Sequence, residues 1–364
     1  MPVRVSFVID NLGRAGTESQ LLALIRALDR TRVEPSLVLL DGESEDSRRL
    51  EPTECPILRL GVKKLLSRDA LRAAKRLRSF WKATQPDIAQ IYFLDSAYFG
   101  APVAKLAGVR KIVRVRNNLS YWLTRKHRIL NRILRPFVDA TLTNSEAGRD
   151  ALIAMEGLPP DQISVIENGV DVERFAIPGR IPFAGSILRV GCVANLRPVK
   201  NIDGLVRVAA RFPELQFEVA GDGEQRGELE MLLVDLNLGH RFRLLGSVID
   251  IPNFLVGLDI AVLPSHSEGM SNALLEFMAA ARPIVATNVG ASAKLLDGGG
   301  CGILAGTSGV DDLETALRRL LAKPEAARAM GEAARARATR FYSRDAMRLR
   351  FEEFYRRLAG VRGD

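Results

Sequence analysis

Residues 3–28 read VRVSFVIDNLGRAGTESQLLALIRAL. The first seven of them, 3–9, form a β-branched, apolar run that predicts a buried strand. Residues 17–28 show the apolar spacing of a helix, and Thr17 and Gln20 have the spacing of a capping box at its start. A strand that leads directly into a helix is typical of a βαβ unit, in which helices connect parallel strands. The segment therefore predicts an α/β protein built on a parallel sheet.

This strand–helix alternation occurs in two series along the chain. The strands predicted for a first sheet are 3–9, 37–40, 88–92, 111–115 and 140–143. Those predicted for a second sheet are 188–194, 215–220, 242–245, 259–264 and 283–287, with helices at 202–212, 224–238 and 271–281. Between the two series lies FAIPGRIPFAGS, which carries two prolines and two glycines and no periodicity. We therefore predict two doubly wound domains.

The predicted domains are residues 1–175 and 176–340, followed by a C-terminal segment, 341–364, that packs back on the first domain. Residues 324–358 are rich in alanine and arginine and predict a helical, amphipathic tail. In doubly wound sheets, ligands bind beyond the carboxyl ends of the strands. We therefore expect the binding site in a cleft that the two domains face.

The composition indicates a globular protein of a reducing compartment. Of the 364 residues, 47% are hydrophobic and 26% charged, which argues against disorder. The three cysteines, Cys55, Cys192 and Cys301, are scattered and lack metal-site spacing, which argues against a disulfide framework. No apolar run reaches the roughly 18 residues of a membrane span, and Asp10 interrupts the first apolar run too early for a signal peptide. We expect a cytoplasmic protein that needs no metal for its stability.

The net charge of +9 is unevenly distributed. Residues 1–175 hold 28 basic and 21 acidic side chains, whereas residues 176–364 hold 24 and 22. Nine basic residues fall in 59–82 and ten in 105–135, and we call these segments the two basic clusters. They are interpreted either as solvated helix faces or as surfaces for an anionic partner. Nucleic acid is the less favoured partner, because only 6% of residues are aromatic and no nucleic-acid-binding motif accompanies the charge.

The most informative motif is SHSEGMSNALLEFMAA, residues 265–280. A predicted strand runs into a glycine-containing loop and then into a helix, so the backbone N–H groups of four residues at the helix start form a natural anion site: Gly269, Met270, Ser271 and Asn272. Glu268 lies in the loop and Glu276 in the second turn of the helix, where a carboxylate is suited to accept hydrogen bonds from vicinal hydroxyls. The alternative is an ordinary capped helix with two unremarkable acids.

The spacing of Glu268 and Glu276 resembles the E-x7-E signature of the retaining family 4 glycosyltransferases, which have the GT-B fold of two Rossmann-like domains. Five further segments resemble that family in the same order: NLGRAGTESQLLAL, NGVDVERF, VANLRPVKNIDGLVRVA, VAGDGEQRGELE and FRLLGSV. The resemblance extends from about residue 3 to about residue 355.

The resemblance implies a role for each matching residue. Glu276 would hold the ribose hydroxyls of the donor, Glu268 would face the transferred sugar, and Lys200 would neutralise the diphosphate. The other donor-binding residues that it implies are Gly269, Met270, Ser271, Asn272, Gly221, Gly246 and Val248. Gly13 and Gly16 would let the N-terminal loop approach the donor phosphate and the acceptor, and a tight turn there would also require residues without a Cβ.

The sequence departs from the family pattern at two places. Asn195 stands where the family has an arginine, so Arg197, two residues on, is assigned to the phosphates and counted with the catalytic residues. The histidine that contacts the transferred sugar in the family is absent from the expected segment, where Asp95, Arg116 and Asn117 are the candidates for lining the pocket. His127, among the helix arginines, is expected at the surface.

The resemblance implies a retaining, metal-independent hexosyltransferase without a cofactor. Its donor would be a nucleoside-diphosphate sugar, UDP-linked rather than GDP-linked, and its acceptor a glycan or a lipid-linked sugar in polysaccharide or lipopolysaccharide synthesis. We expect peripheral, salt-sensitive contact of the two basic clusters with anionic membranes. The alternatives are a catalytically weak nucleotide-sugar-binding partner subunit and a sugar-nucleotide epimerase on the same fold.

Overall fold

The structure, a computed structural model, describes residues 1–13, 15–41, 44–117, 119, 123–185, 187–307 and 309–361. The chain divides into two compact units: the first comprises Met1–Asn168 and Arg344–Asp364, and the second comprises Gly169–Ser343. These boundaries differ from the predicted ones. The backbone N–H of Val170 donates to the carbonyl of Tyr342 at 2.8 Å, and Val170 also forms a parallel bridge with Ser343, so both segments belong to the second unit.

The first unit contains a parallel sheet of seven strands in its described residues, in the order β3-β2-β1-β4-β5-β6-β7. These strands are β1 (Val3–Ile9), β2 (Val33–Leu39), β3 (Ile57–Arg59), β4 (Ile88–Tyr92), β5 (Lys111–Val115), β6 (Ala140–Thr143) and β7 (Ile163–Val165). The helices that connect them are α1 (Gly16–Ala27), α2 (Glu45–Leu50), α3 (Arg68–Thr84), α4 (Leu94–Ala107), α5 (Arg125–Leu134) and α6 (Glu146–Glu156). Because β1 pairs with both β2 and β4, the order of the strands reverses there, and β1/β4 is the switch point of this sheet.

Alternate residues of β1 point to opposite faces of the sheet, as its period of two requires. Phe7 and Ile9 pack with leucines of α1, whereas Val8 packs with α3 and α4. The indole N–H of Trp81, a buried residue of α3, donates to Ser6 Oγ at 2.8 Å. The first sheet is therefore covered on both faces, as expected for parallel strands.

The second unit repeats this architecture with six strands in the described chain, in the order β10-β9-β8-β11-β12-β13. They are β8 (Leu188–Val193), β9 (Leu215–Ala220), β10 (Phe242–Gly246), β11 (Ile260–Leu263), β12 (Ile284–Thr287) and β13 (Ile303–Ala305). The helices are α7 (Ile202–Ala209), α8 (Arg226–Asp235), α9 (Ile251–Val256), α10 (Asn272–Ala279), α11 (Ser292–Leu295), α12 (Val310–Leu321) and α13 (Pro324–Phe341). Here β8 pairs with both β9 and β11, which makes β8/β11 the switch point. The predicted α/β class with two doubly wound sheets is confirmed.

The C-terminal helix α14 (Arg344–Ala359) packs on the first unit. Phe354 and Tyr355 lie in the same core as α1 and β1. The hydroxyl of Tyr355 donates to Gln90 Oε1 at 2.9 Å, and Gln90 Nε2 donates to the hydroxyl of Tyr92 at 2.6 Å. The predicted helical tail, 324–358, forms two helices, α13 and α14, because the chain between them is held in extended pairing with Val170.

Two further expectations need correction. Helix α1 begins at Gly16, with Ala15 at its N-cap and no side-chain cap, so Thr17 lies inside the first turn and the predicted capping box does not form. The short strands β3, β7 and β13, of three residues each, were not predicted, because three residues are too few to show a period.

In the described ranges, no helix combines the length and apolar character that crossing a membrane requires.

Candidate functional site

The switch point of the second sheet brings together the loops that follow β8 and β11. The carboxyl ends of parallel strands meet at one edge of the sheet, and a reversal of strand order opens a crevice there. The loop after β8 carries Arg197 and Lys200, and the loop after β11 carries Glu268. This edge therefore contains the three predicted catalytic residues.

Lys200 and Glu268 form an ion pair at this edge. Lys200 Nζ donates to Glu268 Oε1 at 2.7 Å, and Ser265 Oγ donates to the same oxygen at 2.7 Å. The Glu268 side chain is only 10% exposed and that of Lys200 is 24% exposed. A largely buried charge pair whose carboxylate also accepts from a second donor, Ser265, has a fixed geometry. Ser265, which sequence reasoning did not select, is thus a direct partner of a predicted site residue.

The two loops are joined by hydrogen bonds to their backbone carbonyls. Asn201, in the left-handed conformation at φ +53°, donates from Nδ2 to the carbonyl of Pro264 at 2.9 Å. The N–H of His266 donates to the carbonyl of Val199 at 2.8 Å. Thr287, the last residue of β12, donates from Oγ1 to the carbonyl of Ser265 at 2.6 Å. These contacts connect β8, β11 and β12 and hold the ion pair in place.

Helix α10 begins directly after this loop. The Ser271 side chain caps it by accepting a hydrogen bond from the N–H of Leu274, as is typical of serine at an N-cap. Asn272 is the first helical residue, and Glu276 is half-buried in the second turn. Gly269 and the buried Met270 precede the cap. The structure thus places both signature carboxylates within one loop–helix segment.

Gly290 is a residue of this region that sequence reasoning missed. Its φ is +55°, and a Cβ there would lie 2.0 Å from the carbonyl oxygen of Glu268. Only glycine combines this conformation with so close a backbone approach. The N–H of its neighbour Ala291 donates to the carbonyl of Gly269 at 2.9 Å, so the segment after β12 supports the loop that carries Glu268.

Gly221, directly after β9, lies beside Gly246, the last residue of β10. The N–H of Gly221 donates to the carbonyl of Gly246 at 2.8 Å. A Cβ on Gly221, whose φ is +147°, would lie 1.9 Å from the carbonyl oxygen of Ala194, so glycine is required for the β9 loop to reach the β8 loop. Val248, half-buried, lies two residues beyond β10.

Arg197 and Asn195 are both exposed in the loop after β8. The backbone N–H of Arg197 donates to the carbonyl of Asn195 at 2.8 Å, which forms a tight turn. Within the described chain the Arg197 guanidinium has no hydrogen-bond or ion-pair partner. It therefore supplies a second cation near Lys200 that is not neutralised by the protein. Beneath the ion pair, burial raises the pKa of the Cys192 thiol to about 12, so this cysteine is no nucleophile at neutral pH.

The first unit has its own pocket at the β1/β4 switch point, with a volume of about 370 Å³. It is lined by Asp10, Thr17, Tyr92, Phe93, Leu94, Asp95, Val115, Arg116, Asn117 and His127. Asp95, Arg116 and Asn117, predicted from the sequence, are therefore brought together. His127 was expected at the surface but is half-buried in the pocket wall. His127 lies on the inner face of α5, the same face as the buried Leu134.

Gly13 and Gly16 do not line this pocket. Gly13 has no left-handed backbone angle, and a Cβ there would only touch Glu18 Oε1 at an ordinary 3.5 Å. The expectation that the turn at Gly13 requires a residue without a Cβ was therefore wrong. Gly16 is exposed as the first residue of α1.

Two carboxylates at this switch point were not selected from the sequence. Asp10 Oδ1 accepts a hydrogen bond from the backbone N–H of Ser96 at 2.9 Å, and burial raises the Asp10 pKa. Glu18, in the first turn of α1, is 8% exposed, its Oε2 has no hydrogen-bond partner among the described residues, and burial raises its pKa as well. Phe93 has φ +61°, a strained conformation for a bulky residue. A single sequence contains no signal for such burial or strain.

Arg116 reaches the pocket from a buried group of charges. Its Nη1 lies 2.7 Å from Glu156 Oε1, and Arg114 Nη2 donates to Glu156 Oε2 at 2.6 Å. All three side chains are at most 5% exposed. Burial, together with the neighbouring Arg114, lowers the pKa of Arg116 to about 10. Two guanidiniums thus share one carboxylate, and the group keeps an excess positive charge beside the pocket.

In the comparison with known proteins, each half of the chain matches a glycosyltransferase family model. The family model described as "Glycosyltransferase Family 4" matches residues 14–174, and that described as "Glycosyl transferases group 1" matches residues 180–337. A glycogen synthase of Mycobacterium tuberculosis is 29% identical over 268 residues, which are 71% of this chain and 63% of that enzyme, less than two thirds of its length.

Two further relatives agree with this assignment. An Escherichia coli galactosyltransferase, named for UDP-Gal and α-D-GlcNAc-diphosphoundecaprenol, is 28% identical over 69% of this chain and 71% of that enzyme. The crystal structure of Anabaena HepE with UDP and glucose has a TM-score of 0.84 at 19% identity, and the match covers 97% of this chain and 99% of HepE. At that identity the structural similarity concerns the fold, which is the predicted GT-B class. The chain belongs to the family 4 glycosyltransferases.

Proposed function

We propose that the protein is a retaining glycosyltransferase that moves a hexose from a nucleoside-diphosphate sugar to an acceptor hydroxyl. The observation that carries the proposal is the Lys200–Glu268 ion pair at the switch point of the second sheet. Glu268 lies in the loop directly before α10. It places a cation and a carboxylate at the edge where ligands of doubly wound sheets bind.

The donor is bound by the second unit. Glu276 accepts hydrogen bonds from the ribose hydroxyls, and Lys200 and the unpaired Arg197 face the diphosphate. UDP is the nucleotide named for the E. coli relative and for HepE, which supports a UDP-sugar rather than a GDP-sugar. Because side-chain cations supply the positive charge, we propose that no metal or other cofactor takes part.

The chemistry requires stabilisation of the leaving group. The bond between the anomeric carbon and the diphosphate oxygen breaks, and the acceptor oxygen bonds to the same face of the sugar. The acceptor proton passes to the departing diphosphate. Negative charge develops on that diphosphate, and a fixed cation such as Lys200 lowers the barrier, because it needs no reorganisation during the reaction. Glu268, held by Lys200 and Ser265, faces the positively charged sugar carbon.

The acceptor is bound by the first unit, in the pocket between Asp10, Asp95 and Arg116. Carboxylates and amides there are suited to sugar hydroxyls. Acceptors named for relatives include a diphosphoundecaprenol-linked sugar, which supports a glycan or lipid-linked acceptor in cell-surface polysaccharide or lipopolysaccharide synthesis. A lipid-linked acceptor would require the enzyme to work at an anionic membrane, and we propose peripheral contact on the cytoplasmic face.

The test starts with the full chain and a panel of UDP- and GDP-sugars in thermal-shift assays, with and without EDTA. We expect a UDP-sugar to raise the melting temperature equally in both conditions. Transfer to acceptor sugars is then followed by NMR, which reports whether the anomeric configuration is retained.

Variants connect this activity to the site. Glu276→Ala should raise the donor KM by at least tenfold, because hydrogen bonds to a charged group are worth about 1.5–3 kcal/mol. Lys200→Ala should lower kcat by about a hundredfold. Glu228→Ala, an exposed glutamate in the first turn of α8, is the matched control and should change neither. Wild-type turnover in Glu276→Ala would refute the assignment, and donor binding without transfer or hydrolysis would indicate a binding subunit instead.

A further inference from the structure

Each of the two basic clusters pairs four of its cations with protein atoms and leaves the others without a side-chain partner in the described residues. Within 105–135, Arg114 and Arg116 are buried against Glu156. Arg110 lies 3.8 Å from Asp87, and Lys111 lies 3.9 Å from Asp139. In 59–82, four arginines bind protein atoms, either carboxylates or backbone carbonyls: Arg59, Arg72, Arg76 and Arg78.

The unpaired cations of α3 share that helix with Asp69, whereas five others are concentrated on α5 and the residue after it. Arg125, Lys126, Arg128, Arg132 and Arg135 are all exposed, and none of their side chains has a hydrogen-bond or ion-pair partner in the described ranges. The helix itself contains no acidic residue. Unpaired charges of one sign on one short helix attract an anionic surface, and each basic group near such a surface contributes about 1 kcal/mol.

The same outer face of α5 exposes two isoleucines. Ile129 is 61% exposed and Ile133 is 62% exposed, and their spacing of four places them one above the other on the helix. Asn131 and Leu134 form the buried face. Apolar side chains flanked by Arg and Lys on both sides are the pattern of a helix that lies in the plane of a membrane interface.

A comparable apolar pair elsewhere has the opposite surroundings. Met231 and Val234 on α8 are 64% and 78% exposed, but α8 also carries Glu228, Glu230 and Asp235. Beside α5, a surface pocket of about 360 Å³ is rimmed by Arg128, Arg132 and Arg135 and by the exposed Met155. Arginine guanidiniums bind phosphate oxygens well, so this pocket suits the headgroups next to inserted isoleucines.

We propose that the outer face of α5 docks on an anionic lipid bilayer, with Ile129 and Ile133 inserted below the phosphates and the five cations around them at headgroup level. The proposal rests on the membrane part of the proposed function and specifies its surface. Vesicle binding and nucleotide-sugar transfer are separate measurements, so either can fail without the other.

The full chain is tested by co-sedimentation with phosphatidylcholine vesicles that contain either no phosphatidylglycerol or about 30% of it. We expect binding to the anionic vesicles only, weakening as salt is raised from about 0.05 to 0.5 M, since ions screen the attraction. The Arg128→Gln/Arg132→Gln variant should lose about fivefold in partition for each charge removed, the equivalent of about 1 kcal/mol.

Insertion is tested by Ile129→Ser/Ile133→Ser, with Met231→Ser/Val234→Ser, a pair at least as exposed, as the matched control. We expect the first variant to bind anionic vesicles at least tenfold more weakly and the control to bind like the wild type. Both should keep the wild-type melting temperature and transfer to a water-soluble acceptor, because the substituted side chains are exposed.

Three outcomes would overturn the proposal. One is a wild-type chain that does not bind anionic vesicles at low salt. Another is equal binding by Ile129→Ser/Ile133→Ser and the control. The third is capture of RNA at about 0.15 M salt that depends on the same arginines while vesicles are ignored. If Met231→Ser/Val234→Ser abolished sugar transfer, the result would count against the proposed transferase function and not against membrane docking by α5.

Discussion

Glu156→Gln should destabilise the first unit strongly. The substitution keeps the shape of the side chain and removes the only negative charge between Arg114 and Arg116 in that buried group. Removing one partner of a buried ion pair costs about 3–5 kcal/mol, because the remaining charge has neither water nor a counter-ion. Since two guanidiniums lose their common partner while Gln can still accept one hydrogen bond, we expect about 3 kcal/mol.

Unfolding of the first unit can be followed by tryptophan fluorescence. Both tryptophans of the chain, Trp81 and Trp122, belong to the sequence of the first unit, so tryptophan fluorescence during urea unfolding reports that unit. With a urea dependence of about 1–3 kcal/mol/M, the loss corresponds to a midpoint shift of about 1–3 M. Nucleotide binding by the second unit should be retained at low urea.

Glu146→Gln is the matched control. Glu146 is at the beginning of the same helix, α6, and also pairs with an arginine, Arg149, at 3.7 Å, but its side chain is 55% exposed. An exposed pair contributes little, so the midpoint should not shift measurably. Arg114→Met combined with Glu156→Gln should be more stable than Glu156→Gln alone, since one uncompensated cation is removed. Equal midpoints for Glu156→Gln and Glu146→Gln would refute the reasoning.

Three further predictions concern the two switch points and α14. Ser265→Ala removes one of two donors to Glu268 and should lower kcat about tenfold with little change in donor KM, as steady-state kinetics would show; an equal loss in KM would contradict a positioning role. Burial raises the Asp10 pKa, so its stability contribution is complete below the unfolded pKa and is lost as pH rises through the folded pKa. Asp10→Asn should therefore gain stability relative to the wild type as the pH rises above about 4, the ordinary carboxyl pKa, in urea titrations, and a pH-independent difference would argue against this. Tyr355→Phe leaves Gln90 Oε1 without its donor and should cost about 1–2 kcal/mol by tryptophan-detected unfolding, whereas an unchanged midpoint would show that the bond contributes nothing.

The periodicity of the sequence was sufficient for the strands that lie in the middle of each sheet. Val3–Ile9, Ile88–Tyr92 and Leu215–Ala220 were predicted with the bounds that the structure shows. Such strands are largely buried and consist mostly of apolar residues, so their short runs stand out from the flanking polar segments. The Ser271 cap of α10 was also predictable, because a cap depends on residues adjacent in the chain.

Local patterns failed where distant segments determine the backbone. The domain boundary at Asn168 and the break between α13 and α14 both follow from pairing of Val170 with Tyr342 and Ser343, more than 170 residues away. The sequence predicted a capping box at Thr17, but helix α1 begins one residue earlier. Tertiary contacts overrode the local preference in each case.

The sequence by itself determined the fold class and the residue types of the site, since both depend on periodicity and on short motifs. Only the tertiary structure decided which charges are neutralised. The ten basic residues of 105–135 look alike in sequence, yet Arg114 and Arg116 are buried on Glu156 while the cations of α5 have no partner in the described chain. A charge is neutralised by whatever carboxylate the fold brings within a few ångströms, and sequence spacing does not encode that distance.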